Sequence, residues 1–164
     1  MSCRYNAIKD FDINQSKGVS VSLWWQGCEH RCEGCFSPHT WNFEEGEEFT
    51  EETIKYIVYL LTKDSIKKNL SILGGETLSP NKLEMLEKLL REVRAKVPNA
   101  EVWLWTGYLY ENVCNLEVIK LVDVVIDGKY NIEQHDPTRY KGSKNQRVIS
   151  VKESINSGEI VLYE

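Results

Sequence analysis

Apolar positions along this chain follow two alternating rhythms. Short runs rich in β-branched and aromatic residues read as strands: "VSVSLWW" (19–25), "LSILGG" (70–75), "EVWLWTG" (101–107) and "DVVIDG" (123–128). Between them the spacing changes to that of a helix. From Thr50, "TEETIKYIVYLLTK" puts Ile54, Ile57, Val58 and Leu61 on one face. Thr50 can cap that helix, and Glu51 and Glu52 suit its positive first turn. Ser79-Pro80 opens a second helix, whose stripe is Leu83, Leu86, Leu90, Val93 and Val97 before Pro98 stops it. Segment 108–121 reads as a third helix. The last third is less regular, with strands expected at 147–151 and 159–163.

A β-α-β-α-β-α-β order predicts an α/β fold with a parallel sheet and right-handed crossovers. Each expected strand ends in a polar or glycine-rich segment: Cys28–Cys35, Gly74-Gly75-Glu76, Thr106-Gly107-Tyr108 and Asp127-Gly128-Lys129. Ligands of parallel α/β folds sit at that edge. Four segments distant in sequence are therefore expected to line one site.

The first of these segments carries the chemistry. In "WQGCEHRCEGCF" (25–36), Cys28, Cys32 and Cys35 follow a C-x3-C-x2-C spacing. Structural zinc takes four protein ligands, so zinc would need His30, His39, Cys3 or Cys114 as the fourth. No second C-x2-C pair is present to supply one. A [4Fe–4S] cluster held by three thiolates leaves one iron without a protein ligand, and an open metal position is where a substrate binds. Five cysteines, an odd number with three crowded together, do not suit a disulfide framework.

Composition adds bounds. The 164 residues suffice for one domain with a real core, and 41% hydrophobic with 27% charged residues is ordinary for a globular protein. A net charge of −5 does not suggest a nucleic-acid surface. No apolar run has membrane-spanning length, and "MSCRYNAIKDFDINQ" lacks a signal-peptide core. A cytoplasmic location without membrane or nucleic-acid partners is expected.

C-x3-C-x2-C after the first strand of an α/β chain resembles the radical S-adenosylmethionine superfamily. A closer resemblance is to the activating proteins of anaerobic (class III) ribonucleotide reductase, over about residues 23 to 147. It rests on "GCEHRCEGCF", "TW" (40–41), "LGGETLSP", "VWLWTGY" (102–108), "VDVVIDGKY" (122–130) and "DPTRYKGSKNQR" (136–147). Some positions depart from that family's pattern. The usual asparagine-glycine-proline-glycine turn is replaced by "INQSKGVS", Glu76-Thr77 follows the double glycine instead of aspartate-proline, and Phe36 and Lys141 stand for tyrosine and arginine. Gly34 occupies a position where many superfamily members carry an aromatic residue.

The resemblance implies a single radical S-adenosylmethionine domain over 1–164, with a cluster loop at 26–42 and an irregular part at 129–164. It implies a partial, open (β/α) barrel with a mostly parallel sheet. Cys28, Cys32 and Cys35 would ligate a [4Fe–4S] cluster. Gly34, Cys35, Phe36, Gly74, Gly75 and Glu76 would contact S-adenosylmethionine, the "GGE" segment binding its methionine amino group. The reduced cluster would cleave that cofactor to a 5′-deoxyadenosyl radical, which would abstract hydrogen from a glycine of the reductase large subunit. A flavodoxin-like or other small electron donor and a homodimer are further implications. Two other readings stay open: a sister enzyme acting on another glycyl-radical protein or a small molecule, and a non-catalytic zinc-binding module.

Weaker expectations attach to single residues. Trp103 and Trp105 share one face of a strand and suit a core, while Thr106 and Tyr108 beyond its end suit the site. Asp127 and Lys129 fit a surface pair or a cofactor contact equally. Asn145, Gln146 and Arg147 are tilted by the resemblance toward cofactor or partner contact. Glu29, His30 and Arg31 are expected to point outward, "EEGEE" (44–48) to form a solvated turn, and Cys114 to be a buried thiol. His39 is the one histidine expected near the site that suits proton transfer.

Overall fold

A computed structural model describes residues 2–164. Seven strands form one sheet in the order β3-β1-β2-β4-β5-β6-β7. They are β1 (Arg4–Asp12), β2 (Ser20–Gln26), β3 (Glu47–Glu48), β4 (Asn69–Gly74), β5 (Val102–Trp105), β6 (Val124–Asp127) and β7 (Arg147–Ser150). The helices are α1 (Glu51–Thr62), α2 (Leu83–Lys96), α3 (Tyr110–Val113) and α4 (Val151–Ser157). The four central strands, β2, β4, β5 and β6, pair in parallel. Both flanks are antiparallel, β1 and β3 on one side and β7 on the other. The sheet is thus mixed, and the expected parallel character belongs to its centre.

The parallel strands are added in one direction, without a reversal of order. Right-handed crossovers then put their helices on one face. Side chains that alternate along the strands show it. Val21, Leu23, Trp25, Leu70, Ile72, Val102 and Leu104 join Ile57 of α1 and Leu86, Leu89 and Leu90 of α2 in the main core. On the other face Trp103, Val124 and Ile126 pack with Trp105, Tyr140, Val148 and Tyr163. The C-terminal third supplies that second layer, so Trp103 is a core residue, as its strand position suggests.

Local signals were read correctly where they were strong. Thr50 caps α1 through a reciprocal pairing with Thr53, whose hydroxyl accepts from the Thr50 N–H at 3.0 Å. Ser79-Pro80 does start a helical segment, first as a 3₁₀ turn over Pro80–Lys82 and then as α2.

Three expectations fail, and one strand was not expected. Segment 108–121 is not one helix but the single turn α3 followed by a 3₁₀ stretch over Glu117–Leu121. The expected strand at 159–163 is only a bridge between Leu162 and Ile149, and α4 intervenes. β1 was not expected, because most of its side chains are partly exposed and its polarity hides the alternation. Glu47 and Glu48 of the acidic turn form the edge strand β3. No helix among the described residues is long and apolar enough to cross a membrane.

Candidate iron–sulfur centre at the sheet edge

The C-terminal ends of the four parallel strands open into a cleft of about 450 Å³. Its walls take Cys28, Cys32 and Cys35 from the loop after β2 and Gly74 to Glu76 from the end of β4. Thr106 and Gly107 follow β5, and Gly128 and Lys129 follow β6. All four segments expected at one site therefore meet there. Phe36 lines the cleft too, and is 64% exposed at its mouth.

The cysteine loop is closed at its base. Gly27 N–H donates to the Thr40 carbonyl at 2.6 Å, and Cys28 N–H to the Trp41 carbonyl at 3.1 Å. Inside the loop Cys35 N–H donates to the Cys32 carbonyl at 3.2 Å, and Ser37 N–H reaches the Cys35 Sγ at 3.3 Å. All three thiols are free of disulfides. Burial pushes the Cys28 thiol up, against the pull of N–H groups of His30 and Arg31 directed at its sulfur. Burial raises Cys32 as well, opposed by the Tyr130 N–H and the Lys129 charge. Metal binding at these thiols must displace protons, and the aimed N–H groups suit the thiolates left behind.

Gly75 explains how close the two loops come. A Cβ there would lie 2.3 Å from the Gly27 carbonyl oxygen, so only glycine permits this approach. The contact is secured by Gly75 N–H to the Trp25 carbonyl and Glu76 N–H to the Gly27 carbonyl, both 2.9 Å.

The Glu76 carboxylate is buried and takes four hydrogen bonds, each 2.7 Å long. Leu78 N–H and the Thr106 hydroxyl donate to Oε2, and Gly107 N–H and His30 Nε2 pair with Oε1. A carboxylate only accepts, so the His30 proton sits on Nε2 in this pair. One side chain thus ties together the cysteine loop, the β4 end and the β5 end. A second tie runs beside it, from Ser79 and Tyr108 hydroxyls to the two Glu29 oxygens. Burial would raise the Glu29 carboxyl, yet these hydrogen bonds hold it below its usual value.

His30 therefore points inward, contrary to the sequence reading, while Glu29 stays exposed as expected even as its carboxylate accepts from Ser79 and Tyr108. The His30 side chain is 6% exposed. Polar residues between ligands look like surface, but Glu76 offers the acceptors that make burial favourable. Arg31 stays exposed, with its guanidinium over Trp41. His39 lies exposed on a 3₁₀ turn, so His30 is the histidine at the site.

Gly34 is not among the cleft-lining residues. Its φ of +76° and the Ile132 side chain where a Cβ would stand both call for glycine at this position. Asp127 is fully buried and takes Tyr110 N–H and the Arg147 guanidinium, so it is no surface group. Gln146 lines the cleft while clamping its wall: its Oε1 accepts from Gly142 and Ser143 N–H, and its Nε2 donates to the Gly128 carbonyl. Asn145 donates to the Lys129 carbonyl. Trp24, Trp105 and Tyr140, and Asn14 and Gln15 from the loop before β2, also line the cleft without a sequence signal that marks them as site residues.

The donor set suits an iron–sulfur group better than a lone zinc ion. Of the four candidate fourth ligands, Cys3 is in the core and His39 is on the surface. Cys114 contacts the Glu111 carbonyl beside α3, and His30 Nε2 is committed to Glu76. Three soft thiolates on one loop can attach to different irons of one cluster without converging on a point.

Comparison with known proteins decides the family. A family model described as a 4Fe-4S single cluster domain matches residues 15–149. The anaerobic ribonucleoside-triphosphate reductase-activating protein of Enterobacteria phage T4 is 41% identical over 148 residues, covering 89% of this chain and 93% of that protein. This chain belongs to that family. The activating protein of Escherichia coli (strain K12) is 33% identical over 88% of this chain and 96% of its own length. That of Vibrio cholerae is 32% identical over 87% and 94%. The family model spans the cysteine loop and the other three strand-end segments that build the cleft.

Proposed function

We propose that this chain activates an anaerobic ribonucleoside-triphosphate reductase, with Cys28, Cys32 and Cys35 holding a [4Fe–4S] cluster. The carrying observation is the cleft that those three cysteines line together with the glycine-rich end of β4. When bound, such a cluster supplies the electron that cleaves S-adenosylmethionine to a 5′-deoxyadenosyl radical, which takes a hydrogen atom from a glycine of the reductase. A small external electron donor of the flavodoxin type completes the proposal.

The protein's part is binding, orientation and exclusion of water. The Gly75 approach lets backbone rather than side chain form the wall beside the thiols. The Glu76 hydrogen bonds fix that wall against the cysteine loop and β5, so the cofactor contacts at Gly74 and Gly75 are set before binding. Phe36, 5.1 Å from the Tyr130 ring centroid, narrows the mouth. We read the open sheet, with its helices on one face, as the partial barrel of a radical S-adenosylmethionine enzyme. Its incomplete side would admit a loop of a large protein substrate.

The test is spectroscopic. The reconstituted protein is reduced anaerobically, mixed with S-adenosylmethionine and the cognate reductase, and examined by electron paramagnetic resonance. A glycyl-radical doublet on the reductase is expected. Cofactor cleavage without any radical on the reductase would favour the sister-enzyme reading.

A further inference from the structure

Lys82 carries a charge that no carboxylate among the described residues meets at ion-pair distance, although the Glu76 and Glu29 charges lie near enough to favour it. Its side chain is fully buried at the start of α2. Nζ donates to the Gly27 carbonyl at 2.6 Å and to the Glu76 carbonyl at 2.7 Å. The Phe43 ring centroid lies 5.1 Å away on a further side. Two carbonyls and a π face are all electron-rich, so each calls for an N–H, and the group that offers three is the ammonium. Among the described residues, Lys82 makes no ion pair within 4.0 Å. The other buried lysine does: Lys68 meets Asp10 and Asp64, both at 3.0 Å. Burial still draws the Lys82 ammonium down to about 8 against the favourable Glu76 and Glu29 charges, and a buried cation so incompletely compensated is stabilised by a further anion.

The position says which anion. Gly27 precedes Cys28 directly, and Glu76 ends the segment opposite the thiols. Lys82 thus lies beneath both walls of the cleft's thiol end. We propose that Lys82 is the buried countercharge of the anionic cluster held by Cys28, Cys32 and Cys35, and that it raises the potential at which this cluster accepts an electron. This rests on the cluster reading above. Reduction adds one electron from an external donor and no proton, so one negative charge appears near a fixed cation in a low-dielectric setting. Lys82 touches neither cofactor nor substrate; it acts through the field it creates and through the two carbonyls it holds.

The test uses two neutral replacements. Lys82→Gln keeps an N–H donor for the carbonyls, and Lys82→Met keeps neither donor nor charge. Wild type and variants are reconstituted anaerobically, assayed for iron and sulfide, and titrated with mediators while the reduced-cluster resonance is followed. Both variants are expected to show a more negative midpoint potential, with iron and sulfide retained in Lys82→Gln. A wild-type potential in Lys82→Gln would overturn the proposal and leave Lys82 as a hydrogen-bonding residue only. If neither variant holds a cluster, the thermal midpoint of the metal-free protein decides. Lys82→Gln is expected at or above wild type there, since an incompletely compensated buried charge is gone, and a clear fall would overturn the proposal. Absence of iron and sulfide from wild type itself would instead remove the cluster reading.

Discussion

Lys68 and Lys82 sit at opposite ends of the same parallel strands, and the fold treats them differently. Lys68 lies just before β4, with carboxylates of Asp10 and Asp64 at ion-pair distance and the Leu60 carbonyl at 2.9 Å. Lys82 lies past the end of β4 and has carbonyls and an aromatic ring for company. Polar groups at the first end satisfy one another. At the second end Glu76 and Glu29 bind the loops together, while three thiols and a buried cation await a partner. One end is built for stability, and the other holds its surplus chemistry ready for a cofactor.

The largest effect expected from breaking this contrast is at the thiols. Alanine at Cys28, Cys32 or Cys35 should abolish cluster-dependent formation of 5′-deoxyadenosine, a loss beyond the ~10–100-fold typical of changes around a metal site. The helical circular dichroism should persist, because none of the three belongs to the core. Glu76→Gln comes next. A glutamine amide cannot accept all four hydrogen bonds, so at least one donor loses its partner. Affinity for S-adenosylmethionine, measured calorimetrically on the reconstituted protein, should fall by about 10–100-fold.

Lys68→Met probes the other end. It removes the ammonium shared by Asp10 and Asp64, which remain partly solvated, so the thermal midpoint should fall by a few degrees. Cleavage activity per loaded cluster should not change. The smallest effect concerns acid. Burial alone would raise the Asp10 carboxyl, yet hydrogen bonds from Lys63 and Lys68 draw it below its usual value. Lys68 lowers Asp64 in the same way. Carboxyls with depressed values stabilise the fold above the unfolded carboxylate range and lose that contribution as pH falls through their folded values. Stability should therefore drop below about pH 4, and this acid-side loss should be smaller in Lys68→Met.

What could be read from sequence divides along the same line. The four central strands and two long helices were legible, because Val, Ile, Trp and Leu repeat at the two periods and Gly, Pro, Ser and Thr punctuate them. The meeting of the cysteine loop with Gly74 to Glu76, Thr106 and Gly128 followed from topology. The inward turn of His30 was not legible, since burial of a polar side chain depends on a partner 46 residues away in the chain. Lys82 was hidden for the same reason: a lysine opening a helix reads as solvent-facing until the Gly27 carbonyl is seen above it. β1 escaped because a strand whose side chains are mostly partly exposed and polar gives little alternation to detect. The break in 108–121 reflects tertiary packing of Tyr110 and Val113 that local helix propensity does not report.

The measurement that tests the account most directly is anaerobic reconstitution with iron and sulfide, followed by dithionite, S-adenosylmethionine and the reductase. The account predicts about four irons and about four sulfides per chain and the appearance of 5′-deoxyadenosine. Zinc bound without sulfide, or an intact reduced cluster that yields no 5′-deoxyadenosine even with the reductase present, would contradict it.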